Sequence, residues 1–156
     1  MKLLLFLLSF LLSFSLTAQE IKIGDVSNEI RLGKLAGNRD LAFGVQNVLE
    51  EVIQDQGYDL NPNSSLEITV DILFFDVKKN NVQLAVYSKN TDIYTIIARA
   101  TLYKNGKKKK QVTAKGQAKS ISTATLVIDE GGKFSQTNVS TAIKKLCEQL
   151  ITKLKI

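Results

Sequence analysis

Apolar and polar residues alternate over two long stretches in the middle of the chain, and this period of two constrains the fold more than any other feature of the sequence. In the first stretch the apolar positions are Leu66, Ile68, Val70, Ile72 and Phe74. In the second they are Ile96, Ala98, Ala100 and Leu102, continued beyond a polar turn by Val112, Ala114 and Ala118. Successive side chains of a strand point to opposite faces, so each stretch predicts a β-strand with one buried face.

Turn-forming residues set the expected ends of these strands. Lys78-Lys79-Asn80-Asn81 predicts a polar turn after a first strand at residues 66–77. Val82, Leu84 and Val86 then resume the alternation, and Lys89-Asn90 predicts a second interruption before a strand at 92–104. The apolar positions on both sides of the next turn are even-numbered, and they face one another only if the loop holds an odd number of residues. This parity favours a three-residue loop, Lys104-Asn105-Gly106, with Gly106 left-handed, over a two-residue Asn-Gly turn.

Two segments have apolar residues at helical spacing and polar residues on the opposite face. The first covers residues 40–56 and ends at Gly57, which can adopt the left-handed conformation that closes a helix. The second covers residues 139–154. The predicted N-caps are Asn38 or Asp40 for the first helix and Ser135 or Asn138 for the second.

These elements predict an α+β fold. A short strand with Ile21, Ile23 and Val26 precedes the first helix, and three or four antiparallel strands separate the two helices. Helices with single apolar stripes and a sheet with one apolar face bury those faces against each other. We therefore expect a two-layer sandwich in which two amphipathic helices pack on an antiparallel sheet of about four strands.

The first eighteen residues have the pattern of a secretory signal peptide. Lys2 is followed by an apolar run over residues 3–16, interrupted only by serines, and Ala18 precedes the first acidic residue. The run of about 14 residues is shorter than the roughly 20 that a membrane-spanning helix needs. We expect residues 1–18 to be removed and residues 19–156 to form one exported domain, periplasmic or secreted, with no transmembrane segment. No cysteine stands at the junction, which argues against the bacterial lipoprotein route.

The composition excludes most catalytic chemistry. The sequence contains no His and one Cys, Cys147, so a His base, a Cys-His pair and an internal disulfide are all excluded. Asp71 and Asp76 differ in parity and are expected on opposite faces of their strand, where they cannot act as a pair. The glycine-bearing loop 33–39 and the acidic turn 129–132 are best interpreted as ordinary loops. We expect a protein that is not an enzyme and that needs no cofactor or metal.

Basic residues are concentrated in one segment of a chain whose net charge is +6. Residues 93–128 contain no Asp or Glu, and their basic residues are Arg99, Lys104, Lys107, Lys108, Lys109, Lys110, Lys115 and Lys119. This set is the predicted binding site, since it could contact phosphates, an acidic glycan or an acidic protein surface. The alternative is that these lysines only protect an exposed strand edge and solubilise a hairpin tip. Nucleic acid is not an expected partner, because only Tyr94 and Tyr103 lie near enough to stack on bases.

The order of elements resembles that of the YajG-type uncharacterised lipoproteins of bacterial envelopes. The residues that carry the resemblance are 48–60, where a helix closes on Gly57-Tyr58, and the alternating run Leu66-Glu67-Ile68-Thr69-Val70. The resemblance implies a two-layer α+β envelope domain and transfers no catalytic residue. This chain departs from the family in lacking a lipidated cysteine.

Two functions are compatible with these features. The first is a non-enzymatic periplasmic accessory or assembly protein that binds another envelope component through its sheet edge and the basic hairpin. The alternative is a binding module for an anionic envelope ligand, lipopolysaccharide or an acidic glycan, held by the lysines of that hairpin. Salt should weaken the second kind of binding more than the first.

Overall fold

A computed structural model describes residues 19–28, 30, 41–84, 87–124 and 136–156. In this part of the chain, five strands form one sheet in the order β2-β1-β3-β4-β5, and two helices accompany them. The elements are β1 (Glu20–Asn28), α1 (Leu41–Asp55), β2 (Asp59–Leu60), β3 (Leu66–Leu84), β4 (Tyr87–Lys104), β5 (Lys107–Ala124) and α2 (Gln136–Leu154). The predicted signal peptide, the loop 33–39 and the acidic turn 129–132 lie outside the described residues.

The predicted α+β class is confirmed, but the sheet is mixed rather than antiparallel. Strand β1 runs parallel to both of its neighbours, β2 and β3, whereas β3, β4 and β5 pair antiparallel. The two-residue strand β2 was not expected from the sequence. It comes directly after α1, so the connection between the parallel strands β1 and β2 contains this helix. Parallel strands need such a long connection, because a tight hairpin turn can join only antiparallel strands.

The helices lie side by side on one face of the sheet and enclose the core. Helix α1 packs on β1 and β2, α2 packs on β5 and β4, and the two helices contact each other. The predicted apolar stripes of both helices are buried, as are the even-numbered apolar residues of β4. The fully buried side chains of this core include Leu49 of α1, Ile96 of β4 and Leu146 of α2.

Helix α1 ends as its sequence predicts. Gly57 has φ +84°, and its N–H donates to the Gln54 carbonyl at 2.9 Å while the Tyr58 N–H donates to the Ile53 carbonyl at 3.2 Å. These two bonds satisfy carbonyls at the helix end, and the left-handed conformation they need is open to glycine at little cost. Of the proposed N-caps of α2, Asn138 is wrong because it lies inside the helix, and Ser135 is outside the described residues.

The turn expected at residues 78–81 does not exist. Strand β3 continues to Leu84 and pairs with β4 throughout, including Lys79 with Asp92 and Asn81 with Asn90. The interruption expected at Lys89-Asn90 is wrong for the same reason, because both residues lie in this ladder. Polar residues remain in strands here because β4 satisfies their backbone groups while their side chains stay at the surface.

A β-bulge at Leu73 reverses the two faces of β3. Ile72 pairs with Ala98 and Phe74 pairs with Ile97, which leaves Leu73 unpaired. From this point the odd-numbered residues of β3 face the helices, so Phe74, expected in the core, lies on the outer face and is 44% exposed. The prediction for the aspartates is wrong as well. Asp71 pairs with Arg99 and Asp76 with Thr95, which places both carboxylates on the outer face, about 15 Å apart along the strand.

The β4–β5 hairpin has a two-residue turn rather than the expected three-residue loop. Asn105 (φ 52°) and Gly106 (φ 71°) are both left-handed, and Lys104 pairs with Lys107 across them. The extra residue that lets even-numbered residues of β4 face even-numbered residues of β5 is not in the turn but in β5. Leu102 pairs with Lys110 and Tyr103 with Lys108, so Lys109 is the extra residue, in a bulge.

Candidate interaction surface

The eight basic residues predicted as one site lie on different surfaces of the sheet. Directly paired residues share a face, and Lys104 pairs with buried Leu66 while Lys110 pairs with buried Leu102, so both are on the helix side. Lys107 joins them as the partner of Lys104. The residues on the outer face are Arg99, Lys108, Lys115 and Lys119, and Lys109 is in the bulge. From Lys107 to Lys119 the set extends over about 40 Å, too far for one small ligand.

Two of these lysines are held by bonds within the protein. Lys110 Nζ donates to the Leu154 carbonyl at 2.9 Å, and Lys108 Nζ donates to Gln111 Oε1 at 2.8 Å. A cation on the last carbonyls of α2 is also favoured by the helix dipole. In the reverse direction, Lys153 Nζ of α2 donates to the Thr113 carbonyl of β5 at 2.8 Å. The predicted binding residue Lys110 therefore fastens the end of α2 to the sheet.

Exposed apolar side chains gather on the outer face of the sheet, beyond the β3 bulge. Among the described residues, four large hydrophobic side chains are exposed: Phe43, Phe74, Val82 and Ile121. All but Phe43 lie on this outer face, at 44%, 55% and 53% exposure. Ile97 and Ile93 of β4 lie between them and are half-buried.

Lysines alternate with these apolar residues. Across the three strands, one row is Phe74, Ile97 and Lys115, and another is Lys78, Ile93 and Lys119. Further along, Val82 pairs with Lys89. We define the lysine–apolar face by these residues: Phe74, Lys78, Val82, Lys89, Ile93, Ile97, Lys115, Lys119 and Ile121. It measures about 26 Å along the strands and about 10 Å across them.

Sequence reasoning found two residues of this face, Lys115 and Lys119, and missed the rest. Lys78 had been assigned to a turn and Phe74 to the core. Phe74 and Lys78 share a face with Lys115 only because of the bulge, and no residue near Leu73 predicts a bulge there. Val82 had been predicted to begin a separate alternating strand, whereas it continues β3 on the outer face.

A groove lies between the helices. The groove, of about 380 Å³, separates α1 from α2 at Val48, and Lys144 bridges it with a 2.7 Å ion pair to Glu51. This hydrogen bond and the Glu51 charge raise the pKa of Lys144. An ammonium that is paired and held charged is a poor nucleophile or base, so the groove has no evident chemistry.

Cys147 is a free cysteine buried in the core. It is fully inaccessible in the core, and burial, with a smaller effect of the Glu148 charge, raises the pKa of its thiol to about 12. A thiol needs its thiolate form to attack a substrate or bind a metal. Within the described ranges no three His, Cys, Asp or Glu side chains are placed to hold a metal ion.

Neither described helix is long and apolar enough to cross a bilayer.

No protein-family model matches the chain. The chain is 36% identical over 88 residues, 55% of its length, to the uncharacterized lipoprotein YajG of Escherichia coli strain K12 and equally to that of strain O6:H1. These 88 residues cover 43% of the curated relatives, so the match spans less than half of their length.

Solved structures show the same fold at low identity. The chain matches the hypothetical protein CT253 of Chlamydia trachomatis with a TM-score of 0.53 and 9% identity, over 88% of this chain and 96% of that one. It matches a minor lipoprotein of Acinetobacter baumannii with a TM-score of 0.51 and 9% identity, over 89% and 94%. The resemblance predicted from the sequence is confirmed: this chain is similar to the uncharacterised YajG lipoproteins over a little more than half of its length.

Proposed function

We propose that this chain is an exported, non-enzymatic accessory protein of the bacterial cell envelope, which binds another envelope component through the outer face of its sheet. The observation that carries the proposal is the lysine–apolar face. Phe74 and Ile97 are directly paired on this face, with Lys115 beside Ile97, and exposed apolar area of this kind often marks a site of interaction. The similarity to lipoproteins supports the envelope as the place where the partner is met.

A non-enzymatic role has independent support from the composition. The sequence has no His, its one thiol is buried with a raised pKa, and Asp71 and Asp76 are about 15 Å apart. None of these groups could act as a nucleophile with an adjacent base.

The sheet edge is a weaker site than the face. Strand β5 is one edge strand of the described sheet and β2, of two residues, is the other. At β5, Lys153 already occupies the Thr113 carbonyl, and lysines along this edge disfavour the addition of another strand. Accessory binding through the hairpin tip is also less favoured, because Lys108 and Lys110 have partners within the protein.

The alternative is a module that binds an anionic envelope ligand, lipopolysaccharide or an acidic glycan. It is favoured by Lys115 and Lys119, which remain on the outer face with Lys78 close by. The basic hairpin predicted from the sequence does not support this alternative, because its lysines are divided between two sides of the sheet.

Photo-crosslinking in the native envelope tests the proposal. A photoreactive phenylalanine analogue replaces Phe74, on the lysine–apolar face, or Phe43, equally aromatic and 63% exposed on α1. We expect an envelope component to crosslink at position 74 and not at position 43. Equal crosslinking at both positions, or none at position 74, would contradict the proposal.

A further inference from the structure

We propose that the lysine–apolar face binds the surface of an anionic phospholipid bilayer. The inference rests on the proposed function, since it names the envelope component that the face contacts. Its basis is the arrangement of charge and apolar area on β3, β4 and β5.

The charge of the face is complementary to phosphate. Lys78, Lys89, Lys115 and Lys119 are all exposed, and Asp76 is the one carboxylate at the described outer-face positions between Phe74 and Val82 and their partners. A basic cluster next to an anionic bilayer gains attraction from each lysine. The neighbouring row differs, because there Arg99 lies directly opposite Asp71.

The apolar residues alternate with the lysines instead of forming a separate centre. Ile93 has Lys78 on one side and Lys119 on the other, and Ile97 has Phe74 and Lys115. A lysine side chain can lie along an apolar neighbour and place its ammonium at the level of the phosphates. The same face could then put Phe74, Val82 and Ile121 against the boundary between head groups and acyl chains.

The residue types favour a lipid surface over a protein surface. Centres of protein interfaces are enriched in Tyr, Trp, Arg and Met and depleted in Lys. The lysine–apolar face has four lysines, one Phe, three Ile and one Val, and the polar positions between its rows, Asp76, Asn80, Thr91, Thr95 and Gln117, include no Tyr, Trp, Arg or Met. Its length of about 26 Å on a sheet suits an extended planar partner.

Vesicle co-sedimentation tests the inference with the protein as purified from an exporting host. Wild type is compared with a variant in which Lys78, Lys89, Lys115 and Lys119 are changed to Thr. The matched control changes the exposed Lys104, Lys107, Lys108 and Lys109 to Thr, which removes the same charge from the hairpin tip. Vesicles contain either phosphatidylglycerol with phosphatidylcholine or phosphatidylcholine alone.

We expect wild type to bind the anionic vesicles and not the zwitterionic ones. The face variant should lower the partition coefficient by about 100- to 1,000-fold, and the tip control by no more than about tenfold. Equal losses in the two variants, or no binding of wild type, would overturn the inference.

A second variant tests the apolar contribution. Phe74→Ser with Ile121→Ser should weaken binding to anionic vesicles and remove the part that persists at high salt. Wild-type binding by this variant would overturn the inference, because the contact would then be purely electrostatic. If wild type ignores vesicles but an envelope protein crosslinks at position 74, the lipid inference fails while the proposed function stands.

Discussion

Gly116 is the residue at which helix α2 meets the sheet. A Cβ at this position would overlap the Ala142 carbonyl oxygen and approach the Leu146 Cβ to 2.8 Å. Both neighbours belong to the helix, and the Ala142 oxygen is backbone, so no side-chain rotation relieves the overlap.

Gly116→Ala should therefore destabilise the protein by about 3 kcal/mol, at the upper end of overpacking effects, because α2 must move away from β5. The control is Gly44→Ala in α1, where the added Cβ would be 3.5 Å from Ile143 Cδ1, an ordinary contact. That change should stabilise by about 0.5–1 kcal/mol, since alanine favours a helix more than glycine does. Urea denaturation measures both, and a neutral Gly116→Ala would contradict the close packing of α2 on β5.

The buried thiol of Cys147 makes stability depend on pH in the alkaline range. Its pKa rises from the usual 9.0 to about 12 in the folded protein, so the folded state holds this proton more tightly than the unfolded state. The resulting stability is complete below pH 9 and is lost as pH rises through about 12. Raising the pH from 8 to about 10.5 should therefore lower the free energy of unfolding by about 2 kcal/mol through this thiol.

The control for this dependence is Cys147→Ala, which is less stable at pH 8 because it leaves a cavity but should lose less on going to about pH 10.5. All lysines and tyrosines are common to both proteins, so the difference between the two slopes isolates the thiol. Parallel slopes would show that Cys147 is accessible to water.

Two lysine side chains, Lys110 of β5 and Lys153 of α2, hydrogen-bond between the end of helix α2 and strand β5. Lys110→Met removes the donor to the Leu154 carbonyl and should cost about 0.5–1.5 kcal/mol. Lys109→Met, at an exposed bulge position next to it, should change the free energy of unfolding by less than about 0.5 kcal/mol. Thermal denaturation of the two variants gives the comparison, and equal effects would show that Lys110 has no structural role.

The bulge at Leu73 decides which side chains of β3 reach the outer face. Deleting Leu73 leaves Ile72 opposite Ala98 and Phe74 opposite Ile97, so both faces keep their residues. The deletion should cost no more than about 3 kcal/mol, the loss of one partly buried leucine. Deleting Thr69 instead turns the apolar side chains of one part of β3 to the outer face, so this variant should not fold and should show no cooperative unfolding transition. Circular dichroism melting curves distinguish these outcomes.

Most of the helices and strands follow from sequence patterns, and the corrections have a common cause. Helix α1, its Gly57 cap, and the buried residues of β4 all follow from local periodicity. The residues at 78–81 look like a turn because they are polar, yet pairing with β4 keeps them in a strand. Local composition reports what the side chains prefer, whereas the partner strand supplies the hydrogen bonds that decide between strand and turn.

At the scale of the molecule, the core supports only one part of the long sheet. Ile68, Val70 and Ile72 of β3 pair with buried residues of β4, whereas Lys79 and Asn81 pair with the polar Asp92 and Asn90. The lysine–apolar face lies on the outer side of this sheet and extends into its less supported end.

Amide hydrogen exchange followed by mass spectrometry should show this gradient. We expect protection of β4 to be highest at residues 96–102 and about 100-fold or more lower at residues 87–92, because local opening there exposes little apolar surface. Uniform protection along β4 would indicate that the far end of the sheet is packed as firmly as the rest. Slower exchange at that end on adding anionic vesicles would agree with the lipid inference.

The sequence by itself determined the α+β class, both amphipathic helices and the alternating strands, because each depends on residues close together in the chain. Tertiary structure decided the parallel pairing of β1, the positions of the two bulges and the division of the basic residues between surfaces. A bulge of one residue reverses every side chain beyond it, and its position is set by the register between strands far apart in sequence. For this reason Phe74 and Lys78 could be assigned to the outer face only once β4 was seen beside them.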